Sequence, residues 1–332
     1  MRFRTEIEVG QSDMDLSIDK PVALVGSCFA DNISARMRRC LWRAENPLGV
    51  LFNPLSIANA LRLTLLESDA SDLYGDYMFA EGEVCHSWLF DSTFSGHADT
   101  MRNRFFASKQ KLDSILEAGR TLIVTFGTAY CYFLKSRRGF VVSNCHKQPQ
   151  SLFERRRVEV DDIVEIWHKL AVGLRHAYPG LRIIFTVSPV RHVRDGLHEN
   201  QLSKATLLLA IDRICGELDF CEYFPAYEAV NDDLRDYRFY AADLVHPSEM
   251  AVEYIWEKFQ ERYVADDNRR VLTEGEKIAK RLSHRPIIAE SESAVAFREA
   301  TADLYAKFAA CHPAALNLKD LGIESAEESR NM

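Results

Sequence analysis

The sequence predicts an α/β protein in which a parallel sheet is covered by helices on both faces. Three observations carry that reading. Short apolar runs such as Leu122-Ile123-Val124 and Ile183-Ile184-Phe185 alternate with longer stretches whose apolar residues recur at helical spacing. The runs close on turn residues: Gly26, Gly127 and Ser188-Pro189. The composition is that of a chain able to bury a sizeable core, 47% hydrophobic and 27% charged over 332 residues.

The run at 21–26 reads as a buried strand, followed by helical residues over 29–41. A second helix opens at Asn53-Pro54, where Asn53 is a good N-cap, Pro54 fits the first helical position, and 55–66 is rich in helix formers. Stretches 77–80 and 83–90, joined through Glu81-Gly82, predict a β-hairpin. A helix over 98–118 leads to a strand over 121–126, and a short strand is expected over 140–142. Asp161-Asp162 begin a helix whose Ile163, Trp167, Leu170 and Leu174 share one face, and Tyr178-Pro179-Gly180 stop it. Then come a strand over 182–187, a helix over 202–216, a last strand over 220–224, and a core helix from Pro247 to about 263. From 265 the chain turns polar (Asp266 to Arg270), and helical stretches at 273–281 and 293–310 bring no further strand signal. The expected division is an α/β domain over 1–264 and a helical extension over 265–332, its charged last residues 324–332 frayed.

With 41 basic against 49 acidic residues the net charge is −8, which argues against general nucleic-acid binding. The basic runs at Arg36, Arg38, Arg39 and at Arg155-Arg156-Arg157 are short and read as solvated helix faces. Eight cysteines without a C-x-x-C pair read as reduced, mostly buried thiols. There is no apolar leader segment and no apolar run long enough to span a bilayer, so a soluble, cytoplasmic protein with no membrane partner is expected. Neither a Walker loop nor a G-x-G-x-x-G fingerprint occurs, and no nucleotide cofactor is expected.

Three polar clusters follow strands: Gly26-Ser27, Gly127-Thr128 and Ser188-Pro189. A fourth, Asp243-x-x-His246, precedes the last core helix. Functional groups of parallel sheets gather beyond the carboxyl ends of the strands. A serine at a strand-to-helix turn is well placed as a nucleophile but needs a base, and Asp243 with His246 supplies an imidazole and a carboxylate in one short segment. Each signal alone has a plainer reading. Most Gly-Ser pairs are turns with a cap, and most Asp-x-x-His segments are a cap beside a surface histidine. Cys28 is a rival nucleophile, more simply read as a buried thiol.

Gly26-Ser27-Cys28-Phe29-Ala30 spells the signature of the GSCFA family, a group related to the SGNH or GDSL-like esterases. The sequence resembles that family further at Asn46-Pro47-Leu48-Gly49, Phe52-Asn53-Pro54-Leu55-Ser56, Phe126-Gly127-Thr128-Ala129, Ser143-Asn144-Cys145-His146-Lys147, Ser188-Pro189-Val190-Arg191-His192 and Arg235-Asp236-Tyr237-Arg238-Phe239-Tyr240. The resemblance implies a flavodoxin-like three-layer α/β/α sandwich, with Ser27 as nucleophile and Asp243 and His246 completing a triad. SGNH enzymes usually carry an asparagine in a G-x-N-D turn whose side chain donates to the oxyanion; here the turn reads Gly127-Thr128-Ala129-Tyr130. Losing such a donor costs on the order of 3 kcal/mol of transition-state stabilisation, so a substitute is expected. Asn144 is the preferred candidate, with the backbone N–H groups of Ser27 and Gly49 as further donors.

His86, His146, Arg191 and His192 are candidate substrate contacts, each weighed against a purely structural role, and Lys147 is a candidate anion contact. His146 with Cys145 lacks further ligands at a metal-binding spacing, so no metal is expected. The expected activity is cofactor-free hydrolysis of a small acyl ester; the O-acetyl group of a saccharide or related metabolite is what the resemblance to the wider SGNH superfamily implies, and no residue here carries that preference. An acyltransferase on the same scaffold and a catalytically silent ligand-binding module are the alternatives.

Overall fold

The computed structural model describes residues 4–67, 75–288 and 290–321; the stretch 324–332, read above as frayed, lies outside the described residues. Strand β1 (Val22–Gly26) runs into helix α1 (Cys28–Arg38), followed by β2 (Ala44–Glu45) and α2 (Pro54–Leu65). A hairpin of β3 (Met78–Glu81) and β4 (Val84–Ser87), extended by β5 (Ser95–Gly96), leads to α3 (Ala98–Gly119) and β6 (Thr121–Phe126). Strands β7 (Tyr130–Leu134), β8 (Val141–Val142) and β9 (Phe153–Arg157) precede α4 (Val160–Ala177) and β10 (Arg182–Val187). After them come α5 (Leu197–Glu217), β11 (Cys221–Tyr223), α6 (Glu249–Tyr263), α7 (Asp266–Leu282) and α8 (Glu292–Cys311).

The apolar runs form a central parallel sheet flanked by helices, with strand order β2-β1-β6-β10-β11. Counted within the sheet this is 2-1-3-4-5, a doubly wound order that reverses between β1 and β6. Leu122 of β6 pairs with Ala23 of β1 on one side and Ile183 of β10 on the other. Alternate residues Val25, Val124, Phe126, Phe185 and Val187 join one core with Leu61, Phe105, Trp167 and Leu207 of the helices. Val22, Leu24, Ile123 and Ile184 between them are also buried, so the sheet is covered on both faces, and its strands read as continuous apolar runs for that reason.

The described residues form two compact units, one drawn from 4–8, Val22–Asn32 and Glu45–Ile255, the other from Val9–Pro21, Ile33–Ala44 and 256–321. In the second unit Gly275 of α7 lies against the chain at Cys40: a Cβ there would sit 2.2 Å from the Cys40 carbonyl oxygen. Trp42 meets Trp256 edge-on at 6.4 Å and donates from its indole N–H to the Lys20 carbonyl at 2.8 Å.

Several expectations need correction. Arg155-Arg156-Arg157 is not a helix face; it is on β9, which pairs antiparallel with β7 in a three-stranded sheet that the sequence reading omitted. Arg36 is on a helix but buried, paired with Glu276 at 3.1 Å. The polar segment at 266–270 is the first turn of α7, where Asp266 and Asp267 suit the positive end of the helix dipole and Arg270 pairs with Asp267 at 3.2 Å. Helix α5 starts at Leu197, five residues before its apolar spacing becomes visible, because its first turns bury Asn200 in place of an apolar side chain. None of the eight cysteines forms a disulfide, but only Cys40, Cys131 and Cys221 are buried. Among the described residues no helix is long and apolar enough to cross a membrane.

Candidate active site

Strand β1 ends on Gly26, where φ is +141° and a Cβ would lie 2.2 Å from the Thr125 carbonyl oxygen of β6. This close approach sets Ser27 at the mouth of α1, only 1% exposed. Ser27 Oγ accepts from the Phe29 N–H at 3.4 Å, and the Ser27 N–H donates to the Thr125 carbonyl at 3.1 Å. Burial pushes the neighbouring Cys28 thiol up, which keeps it protonated and weakens it as a rival nucleophile.

Three strand exits converge around Gly127. A Cβ on this glycine would stand 3.1 Å from the Phe52 carbonyl oxygen, 3.3 Å from Ser27 Cβ and 3.5 Å from His192 Nε2. The N–H groups of Gly127 and Thr128 both donate to the Phe52 carbonyl, at 2.8 and 3.0 Å, and the Leu51 N–H donates to the Gly26 carbonyl at 2.8 Å. Beneath them, α5 presents Asn200, Ser203 and Lys204, spaced to lie on one face and all buried. Asn200 Oδ1 accepts from the His192 N–H at 3.0 Å, and Ser203 Oγ accepts from the Ala129 N–H at 2.8 Å. Lys204 Nζ donates to the Gly127 and Ser188 carbonyls at 2.6 and 2.7 Å, tying the β6 exit to the β10 exit. Burial drives its pKa down to about 7.

Asp243 and His246 form a self-contained turn. Asp243 Oδ1 accepts from the Val245 and His246 N–H groups, both at 3.0 Å, while Oδ2 meets His246 Nδ1 at 2.5 Å. Those two backbone donors, then the ring, hold the Asp243 carboxyl down at about 2, so it is ionised at neutral pH. The turn holds Leu244 at φ +60°, an unfavourable conformation for a branched side chain. With Nδ1 held by the carboxylate, Nε2 is the free ring nitrogen. Ser27 Oγ and His246 Nε2 are not hydrogen-bonded to each other.

A cavity of about 610 Å³ opens beside the Gly127 cluster, lined by Phe52, Asn53, Thr128 and His192 among others but by none of Ser27, Asp243 and His246. His86, Asn144, His146 and Lys147 line it too, as do Tyr130, Tyr132 and Arg155. His146 Nε2 lies 3.1 Å from Ser143 Oγ, which itself donates to the Phe90 carbonyl at 2.6 Å; the hydroxyl therefore accepts from the ring, fixing the proton on Nε2. His146 packs edge-on against Trp88, and His86 stacks on Phe79 at 5.1 Å. Burial lowers both His146 and His192 to about 4, so both are neutral near pH 7. Arg155 makes a forked ion pair with Asp195 at 2.7 and 2.8 Å and lies over the Tyr130 ring.

The expected residues thus fall in different places. His86, Asn144, His146 and His192 share the cavity, whereas Arg191 lines a second hollow together with Asp243 and Tyr240. The segment after β10 presents His192 and Arg194 to one hollow, and Arg191 and Val193 to the other. Two of the three expected oxyanion donors are already engaged: Ser27 N–H by Thr125, and Gly49 N–H by the Asn46 carbonyl at 3.4 Å. Asn144 Oδ1 accepts from the His146 N–H at 2.7 Å, leaving its Nδ2 without a partner among the described residues. Sequence reasoning missed Lys204, Arg155 and Asp195. The first is a lysine inside a helix, and the ion pair joins β9 to a distant loop, so neither carried a local signal. Among the described residues no group of three or more His, Cys, Asp or Glu is arranged to hold a metal ion.

Compared with known proteins, the chain matches the family model described as GSCFA family over residues 21–259. No curated protein matches it.

Proposed function

The chain belongs to the GSCFA family, and we propose that it is a serine ester hydrolase of the SGNH type, acting on a small acyl ester. The observation that carries this reading is the Asp243–His246 pair at 2.5 Å, whose ring has its second nitrogen free. An ionised carboxylate on Nδ1 selects the tautomer that accepts a proton at Nε2 and stabilises the imidazolium that results.

In the proposed reaction Ser27 Oγ bonds to the acyl carbon while its proton passes to His246 Nε2, and the carbonyl electron pair moves onto oxygen. The tetrahedral intermediate collapses, His246 returns the proton to the leaving alkoxide, and an acyl-Ser27 remains. Water then repeats the sequence, its proton again taken by His246, to release the acid and restore the serine. The Ser27–His246 hydrogen bond is the one triad contact not formed here, and the proposal requires it to form as substrate enters. The O-acetylated saccharide or related metabolite is the substrate class that the resemblance to SGNH esterases implies, and the cavity of about 610 Å³ beside Gly127 has the volume of a small-ligand site.

The test is hydrolysis of p-nitrophenyl acetate by the wild type and Ser27→Ala. The wild type is expected to turn over and the variant to fall by about 10³-fold or more. Equal rates remove Ser27 from the mechanism. The unformed Ser27–His246 bond favours a second reading, a ligand-binding module that does not turn over, and an inert wild type would select it.

A further inference from the structure

Building on the serine-hydrolase reading, we propose that the carboxamide of Asn53 is the oxyanion donor that replaces the asparagine missing from the β6 turn. When Ser27 Oγ bonds to the acyl carbon, the acyl oxygen takes a full negative charge and needs N–H donors that are not already committed. The backbone around Ser27 offers few: the N–H groups of Ser27, Leu51, Gly127 and Thr128 each donate to a carbonyl. A side chain with an uncommitted N–H adds to what the first N–H groups of α1 can offer.

Asn53 is 1% exposed and lines the cavity together with Thr128 and His192. Its backbone nitrogen is bonded to the Phe52 carbonyl carbon, and the oxygen of that carbonyl lies 3.1 Å from the point above Gly127 that is 3.3 Å from Ser27 Cβ. The orientation of its amide is fixed. Oδ1 accepts from the Ser56 N–H at 2.8 Å and from the Cys131 thiol at 3.2 Å, so that end must be the oxygen. Nδ2, the opposite end, has no partner among the described residues. Capping α2 explains the oxygen alone, because aspartate or serine would cap equally well. The amino group is unexplained by the helix and is left as a donor on the cavity wall, where an oxyanion would give it an acceptor. Asn144 has an amino group without a partner among the described residues on the same cavity, but its one side-chain hydrogen bond is to His146 and it has no chain neighbour against Gly127 as Asn53 has in Phe52.

The readout is the second-order rate at which a fluorophosphonate phosphonylates Ser27, a reaction whose transition state also places charge on an oxygen beside the serine. Asn53→Ser and Asn53→Asp both keep a capping oxygen but lack the amino group. Each is expected to melt as a folded protein and to react about 100-fold more slowly than the wild type. If both react within about three-fold of the wild type while Ser27→Ala is unlabelled, Asn53 is not the donor and the serine-hydrolase reading stands. If the wild type itself is unlabelled, that reading fails and takes this inference with it. Should one variant not fold, the other decides.

Discussion

At the residue scale one short turn orders a carboxylate, two backbone amides and an imidazole. Asp243 orders the Val245 and His246 amides with one oxygen and the imidazole with the other, so the ring is held in one orientation before any substrate enters. Asp243→Asn keeps an oxygen for those amides but presents an amide to the ring, which favours the wrong tautomer. It is expected to lower kcat by about 10⁴-fold with little change in melting temperature; a loss under ten-fold would mean the carboxylate is not the orienting group. Gly127 makes a second prediction. Its Cβ position is hemmed in by Phe52, Ser27 and His192, so Gly127→Ala must push at least one of them aside. A folded protein with kcat reduced by about 10- to 100-fold is expected, and unchanged kinetics would show that these three groups need not be held so closely.

At the element scale α5 acts as the keel of the site. Asn200, Ser203 and Lys204 fasten the loops after β6 and β10 from below. Lys204 makes two hydrogen bonds, both to carbonyls, which a neutral amine satisfies as fully as an ammonium does. Burial depresses its folded pKa to about 7, against 10.5 for an unperturbed lysine. Between those values the unfolded chain holds a proton that the folded chain has released, so this residue makes stability rise with pH. Below about 7 both states are protonated and the burial penalty is complete. Lys204→Met is expected to flatten that rise between pH 7 and 10 in denaturant titrations; an identical slope in variant and wild type would show that Lys204 titrates normally. The sequence made β1, β6 and β10 legible because strands buried on both faces are uninterrupted apolar runs. Strand β9 was hidden by its charge: its residues alternate between buried Phe153, exposed Glu154 and half-buried Arg155, and three arginines mask that period. Residues 197–201 were hidden for the converse reason, since the face they bury includes a polar anchor.

At the scale of the whole molecule, the doubly wound order brings the carboxyl ends of β1 and β6 together where the strand order reverses, and Ser27 and Gly127 lie there. That placement was legible from the strand–glycine pattern. The donor set was less so. Asn53 reads fully as a helix cap, and only the cavity and the commitments of its oxygen leave the amino group without a role. Arg191 and His192, adjacent in sequence, serve different hollows because the chain after β10 is extended and alternates its side chains.

The central claim is that Ser27 is a nucleophile activated by His246. Treating the protein with a fluorophosphonate and mapping the adduct by peptide mass spectrometry tests it most directly. The account predicts one modified residue, Ser27, and loss of that labelling in His246→Ala. An adduct elsewhere, or undiminished labelling of Ser27 in His246→Ala, would contradict it.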